Sequence, residues 1–265
     1  MKNRTPGPVR AAWAVAGGAA ALTLLTSTAA HAEGRGDIRV TAAVVNDGKN
    51  VIIGTSQRVT YPIALTIRDN SGVKGLSHVD VFSKSEGWGF SDWTGTKCVK
   101  KSHTTSVCTA TMTVAPQWLP DSLPEDVDHI AGRWQVNATV KANDGDYWIS
   151  DDVAEFKMKR ASKLTADAAP EPVAKGAQLT VTGKLTRANW EHLKYAGFTG
   201  QDVKLQFKAA GAAHYRTVKT VRSGEAGRLS AKVTATSAGS WRWYFPGTTT
   251  TARVTSAGDA VALKR

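Results

Sequence analysis

Val59-Thr60-Tyr61-Pro62-Ile63-Ala64-Leu65-Thr66-Ile67-Arg68, closed by Asp69-Asn70-Ser71-Gly72, is the stretch that decides the fold. Tyr61, Ile63, Leu65 and Ile67 recur at every second residue, so an extended chain puts all four on one face. The four residues that follow carry turn chemistry. Asp and Asn side chains bond back to their own backbone, and Gly adopts positive φ at no steric cost. The same rhythm continues outward in both directions. Ile38, Val40 and Ala42 share a face ahead of this strand, and Val51-Ile52-Ile53 is a short buried strand ending at Gly54. Residues 78–83 and 107–114 read as strands, and Trp134, Val136, Ala138 and Val140 line one face of a strong late strand. Asn143-Asp144-Gly145-Asp146 turns the chain, and residues 147–149 and 153–158 complete the set. Strands at this spacing predict a β-sandwich. Two stretches break the rhythm. Residues 83–101, with Gly87, Trp88, Gly89, Trp93 and Gly95, read as a long Gly-rich loop or irregular hairpin. Residues 117–130, with Pro120 and Pro124, admit one helical turn after Ser122 with Glu125 as its capping-box partner.

The second half repeats the pattern. Residues 178–186 alternate, residues 189–200 read as a loop holding Trp190, Tyr195 and Phe198, and Val203, Leu205 and Phe207 alternate again. Tyr215, Val218 and Val221 form a strand whose phase slips. Leu229, Ala231 and Val233 form another, and residues 241–245, 252–255 and 260–263 finish the set. That strand number in about 100 residues is the size of one immunoglobulin-like sandwich. The predicted fold is all-β: two immunoglobulin-like β-sandwich domains in tandem, residues 33–160 and 161–265, after a signal peptide at 1–32.

The signal peptide is read from Lys2, Arg4 and Arg10, an apolar Ala-rich stretch up to Leu25, and Ala30-His31-Ala32. A positive end, a short apolar segment and a small-x-small site are what export and signal cleavage require. Cleavage is expected after Ala32. The alternative is an N-terminal anchor, but a bilayer needs about 20 apolar residues and Gly17-Gly18 interrupts this run. With no lipobox cysteine and no sorting motif, the expectation is release to the medium or loose retention at the cell wall, with no transmembrane anchor after cleavage. Cys98 and Cys108 enclose nine residues. In an exported protein an even pair reads as a disulfide, contributing roughly 3 kcal/mol in the chain-entropy model; two free buried thiols are the alternative.

Charge divides the chain. The total is +12, but residues 33–160 hold 15 basic and 16 acidic residues whereas residues 161–265 hold 16 basic and 6 acidic. A basic domain outside a cell can meet anionic wall polymer, acidic polysaccharide, phospholipid or nucleic acid. The alternative is that the charge only keeps the domain soluble.

Ala169-Pro170-Glu171-Pro172-Val173, Lys175-Gly176, the run from Val181 to Trp190, Tyr195-Ala196-Gly197 and Val203-Lys204-Leu205-Gln206-Phe207 follow in that order. In these motifs the chain resembles a group of secreted actinobacterial proteins found in Streptomyces-like bacteria, the likeness covering residues 33–265. The resemblance implies export and an Ig-like fold. Some members of the group are called calcium-binding, and no established activity is implied. The group's pattern has an aromatic residue and an acid after Gly258-Asp259, where this chain has Ala260 and Ala262.

The sequence carries no recognisable catalytic constellation: no Gly-x-Ser-x-Gly elbow, no His-Glu-x-x-His, no phosphate-binding Gly loop. His78, His103, His129, His192 and His214 are scattered in sequence. The chain is therefore expected not to be an enzyme, although paired carboxylates meet only in three dimensions. Calcium is the one cofactor with candidate ligands. Asn143, Asp144 and Asp146 crowd one turn, Asp151 and Asp152 follow, and Asp69 tips another turn. Hard oxygens in turns suit calcium, but the spacing is not that of an EF-hand. The competing reading is a plain hairpin turn. Trp88 and Trp93 are candidates for stacking on sugar rings, against the alternative that they cover a thin core. Trp190, Trp241 and Trp243 interleave with Arg187 and Arg242, which a nucleic-acid platform would use. Plain strand patterning is the preferred reading, and no specific nucleic acid is expected. The expected function is a secreted, non-catalytic binding or structural protein, with anionic cell-wall polymer or extracellular polysaccharide as partner. The alternatives are a calcium-stabilised sandwich and a glycan-binding or glycan-cleaving protein.

Overall fold

The computed structural model describes residues 32–119 and 127–264. The predicted signal peptide, apart from its last residue Ala32, and the helical turn after Ser122 lie outside these residues. Among the described residues there are strands and short 3₁₀ turns but no α-helix.

Two sheets pack face to face in the first half. One runs β2 (Arg39–Val45), β4 (Val59–Arg68), β8 (Thr105–Val114), β7 (Trp93–Lys100). The other runs β1 (Ala32–Arg35), β10 (Tyr147–Arg160), β9 (Gly132–Ala142), β5 (Val73–Ser83), β6 (Gly89–Phe90), and β3 (Val51–Ile53) pairs parallel with the end of β10. The chain changes sheet between β4 and β5, returns between β6 and β7, and crosses again between β8 and β9. This order matches the A-B-E-D and C-F-G sheets of an immunoglobulin constant-type sandwich. Alternation becomes burial. Tyr61, Ile63, Leu65 and Ile67 are at most 1% exposed and belong to one core cluster with Val79, Val81, Met112, Trp134, Val136 and Val140. Trp134 donates its indole N–H to the Ile130 carbonyl at 2.7 Å, which is how a fully buried tryptophan keeps its polar atom paired.

The second half is again two facing sheets, but its edge strand before β17 joins the opposite sheet from the one β7 joins in the first half. β13 (Gln178–Asn189) pairs with β11 (Ser162–Leu164) and β12 (Asp167–Ala169) on one side. On its other side lie β17 (Arg228–Thr234) and β14 (Lys194–Gly197). The opposing sheet runs β16 (Arg216–Arg222), β15 (Asp202–Ala209), β18 (Gly239–Phe245), with β19 (Val254–Thr255) and β20 (Asp259–Val261) along the far edge of β18. Trp241, Trp243 and Phe245 point inward with Val203 and Leu205, and Arg242 and Tyr244 are less buried between them. The Trp-Arg-Trp run is strand patterning.

Three local expectations are settled or changed. Of the two readings of residues 83–101, open loop and irregular hairpin, the structure takes the paired one: β6 pairs with β5, and β7 pairs along β8 with a register shift. Residues 189–200 hold the end of β13 and a paired β14. Trp190, read as a loop residue, is fully buried and joins Ala188 in the core cluster of the first sandwich. Its indole N–H donates to the Ile53 carbonyl at 3.3 Å and its backbone N–H to Asp128 Oδ1 at 2.8 Å. Arg160, 4% exposed, meets Asp128 Oδ2 at 2.7 Å and donates through Nε to the Ala188 carbonyl. One sandwich is thus keyed into the other by Trp190 and by the hydrogen bonds that the buried Asp128–Arg160 pair of the first sandwich makes to residues 188–190 of the second.

Candidate functional site

Three surfaces gather chemistry, and the strand plan explains each. The turn between β4 and β5, the turn between β9 and β10 and the segment between β1 and β2 meet at one end of the first sandwich. There the carboxylates of Asp37, Asp69 and Asp146 each offer an oxygen within 4.8 Å of the others. Asp69 is fully buried. Its Oδ1 accepts from the Ser71 backbone N–H at 2.7 Å and from the Ser71 hydroxyl at 2.6 Å, while its Oδ2 has no partner. Asp146 Oδ2 accepts from the Asp37 backbone N–H at 3.1 Å. Gly36 makes that approach feasible: its φ is +79°, and a Cβ there would lie 1.4 Å from Asp146 Oδ2.

The second surface is a groove of about 900 Å³ on the outer face of the β5–β9–β10 sheet. Asp80 and Asn137, opposite each other in register, line it with Gln135, Phe90, Asp151 and Asp152. The register of β9 and β10 shifts between Ser150 and Ala154, which places Asp151 and Asp152 in a bulge at the groove's rim. Asp80 Oδ2 bonds to His78 Nε2 at 3.1 Å, but Asp80 Oδ1 and Asn137 Oδ1 are buried acceptors without a partner. Near the groove, burial of Glu155 is slight, and the Lys84 ammonium bonded to it holds its carboxyl below the usual range.

The third surface is the outer face of the β15–β16–β18 sheet. The register sets Lys204 beside Tyr244, Gln206 beside Arg242 and Lys208 beside Ser240. The Arg242 guanidinium lies 3.7 Å from the centre of the Tyr215 ring and the Lys208 ammonium 5.3 Å from it. Tyr215 in turn donates its hydroxyl to Ser240 Oγ at 2.9 Å. On the exposed edge strand β16 the register sets Thr217 beside Gln206, Thr220 beside Lys204 and Arg222 beside Asp202 on this face.

No protein-family model and no curated protein matches the sequence. Among solved structures the chain is similar to the D00-D0 domain of intimin, at 12% identity over 83% of this chain and 99% of that one, TM-score 0.28. It is also similar to three N-terminal domains of the bacteriophage RB49 highly immunogenic outer capsid protein, at 9% identity over 88% and 71%, TM-score 0.29. A third is the mouse nectin-like molecule 4 ectodomain, at 10% identity over 84% and 65%, TM-score 0.24. The immunoglobulin-like assignment rests on the chain's own strand order.

The residues singled out in the sequence divide as follows. Cys98 and Cys108 sit opposite each other on β7 and β8 and are joined, so the disulfide staples one hairpin and does not link the two sheets. Of the metal candidates, Asp69 and Asp146 come together. Asn143 instead donates through Nδ2 to the Ser71 carbonyl, and Asp144 Oδ1 accepts from the Asp146 N–H. Asp37, which nothing in its sequence neighbourhood marked, completes the cluster. Trp88 and Trp93 are half-buried and pack on the first core. Trp88 lies 4.6 Å from Phe90 and 6.2 Å from Trp134 between ring centres. The groove is lined by the glycines and Phe90 around them. No helix among the described residues is long and apolar enough to cross a membrane.

Proposed function

We propose that this chain is an exported, non-catalytic binding protein whose second sandwich contacts an anionic polymer of the cell envelope. The observation that carries the reading is the outer face of the β15–β16–β18 sheet. Lys208 and Arg242 stand there over the Tyr215 ring, Lys204 lies on the same face beside Tyr244, and among the described residues none of the three is in an ion pair. Cations held on a rigid sheet and left unneutralised create a local positive potential that concentrates polyanions. The disulfide is consistent with an oxidising compartment. The test is sedimentation of the full chain with isolated cell walls. Retention at low salt should fall as salt rises and screens exposed charges. The variant Lys204→Glu/Lys208→Glu/Arg242→Glu should lose it. Equal retention of that variant removes the reading.

A second reading, glycan recognition, is favoured by the groove. Sugar hydroxyls would donate to Asp80 Oδ1 and Asn137 Oδ1, two buried acceptors that the fold leaves unpaired in the groove. Asp80→Ala and Asn137→Ala should then weaken binding to soluble wall glycan without changing retention by the basic face. Release of new reducing ends from that glycan would show that Asp80, Asp151 and Asp152 cleave it and would overturn the non-catalytic assignment.

A further inference from the structure

We propose that Asp37, Asp69 and Asp146 hold one calcium ion, which fastens the segment before β2 to the two turns at that end of the first sandwich. A carboxylate oxygen buried without a donor is unfavourable, because nothing replaces the water it has given up. Asp69 is fully buried, Ser71 satisfies its Oδ1, and Oδ2 is left open. Oδ2 is therefore the oxygen Asp69 has to offer, and the neighbours on offer are two further carboxylates. Like charges gathered this closely repel, and the ion pairs among the described residues bring no lysine or arginine to them. A cation from solution resolves both problems.

The spacing fits such an ion. Two oxygens bound to one calcium at about 2.4 Å can be at most about 4.8 Å apart, and the three ligand atoms lie within 4.8 Å of one another. The donor set is hard oxygen with no histidine or cysteine, which disfavours zinc. The three residues come from separate segments, with Asp37 exposed and Asp146 half-exposed. Such a set leaves an irregular, partly hydrated shell, which calcium accepts and magnesium, with its strict octahedron, does not. The backbone is shaped for the approach: Gly36 lies where any side chain would strike Asp146, and the Asp37 N–H is bonded to the Asp146 carboxylate. The ion would thus be a latch on residues 32–38, including the edge strand β1. This goes beyond the polyanion reading and stands independently of it.

The experiment is calorimetric titration of the chelator-treated full chain with calcium, read together with thermal unfolding. One ion per chain should bind with a Kd of about 10⁻³ M or tighter. The melting temperature should rise by about 5 °C or more at calcium 100-fold above Kd. Asp37→Asn, at an exposed position, should weaken binding at least about tenfold, and Asp69→Asn should abolish it. Asp151→Asn, in the groove, should bind as the parent does. Absence of both heat and melting shift at about 10 mM calcium overturns the proposal. So does parent-like binding by Asp37→Asn, which folds whether or not Asp69→Asn does. An equal shift with magnesium overturns the choice of calcium.

Discussion

In the first sandwich the surfaces left outside the core carry acids and amides: the carboxylate cluster at the turns, and Asp80, Asn137, Asp151 and Asp152 in the groove. In the second the corresponding sheet carries Lys204, Lys208 and Arg242. The two share their central strand pairings and differ in one edge strand, which joins β8 in the first (β7) and β15 in the second (β16). The groove residues and the cations lie mostly on the shared strands, so the difference in charge does not come from topology. Outward positions of a strand are free of packing demands, and the same scaffold presents opposite charge wherever the outward residues change. The cores differ as well. The first has a disulfide-stapled edge hairpin and an aromatic group of Trp88, Phe90, Trp134 and Phe156. The second is held by packing around Trp241, Trp243 and Phe245 and lends Trp190 to its neighbour.

That loan is the sharpest place to test the comparison. Trp190→Ala, although in the second half of the sequence, should destabilise the first sandwich by about 3–5 kcal/mol, the range for truncating a buried Trp. Denaturant unfolding followed by Trp134 fluorescence should show it. A loss confined to the second sandwich would mean that the two cores are separate. Next in size, reduction of Cys98–Cys108 should cost roughly 3 kcal/mol or less, all of it in the first sandwich. Differential calorimetry in the presence of a reductant should leave the second sandwich unmoved.

Gly36→Ala should cost about 1–2 kcal/mol from the positive φ alone. It should also blunt the melting response to calcium, because the added methyl displaces Asp146. The smallest effect is electrostatic. Burial, with the neighbouring Asp259 carboxylate second, pushes the Glu171 carboxyl up from its ordinary value. A raised acid pKa means that the folded protein holds the proton more tightly than the unfolded chain does. The associated stability is complete below the unfolded value of about 4.3 and is lost as pH rises through the folded one. Glu171→Gln should flatten that slope in the second sandwich. Melting curves between about pH 4 and pH 7 measure it, and a variant with the parent's slope would exclude Glu171 as the source.

The fold was largely legible because strands write their burial at every second residue: Tyr61, Ile63, Leu65 and Ile67 turned inward as the pattern requires. The turn at Asp69-Asn70-Ser71-Gly72 was legible for a local reason too, since Ser71 bonds back to the Asp69 carboxylate. The carboxylate cluster was half legible. Asp69 and Asp146 lie in conspicuous turns, but Asp37 precedes β2 in an unremarkable stretch, and only chain packing brings it to them. Trp88 and Trp93 show an ambiguous case. Their Gly-rich setting left two readings open, sugar stacking and cover for a thin core; β6 and β7 pair with the sheets, and both rings pack against the core.

By itself, then, the sequence determined what local rules control: strand faces, turn residues, a cysteine pair suited to a hairpin, and a charge split between the halves. Tertiary structure alone decided which turns share an end of the sandwich, which acceptors remain unpaired on the groove floor, and which tryptophan crosses into a neighbouring core. Those outcomes depend on contacts between residues far apart in the chain, as when Trp190 meets Ile53. A pattern of period two fixes the face of a side chain and carries no record of its distant partner.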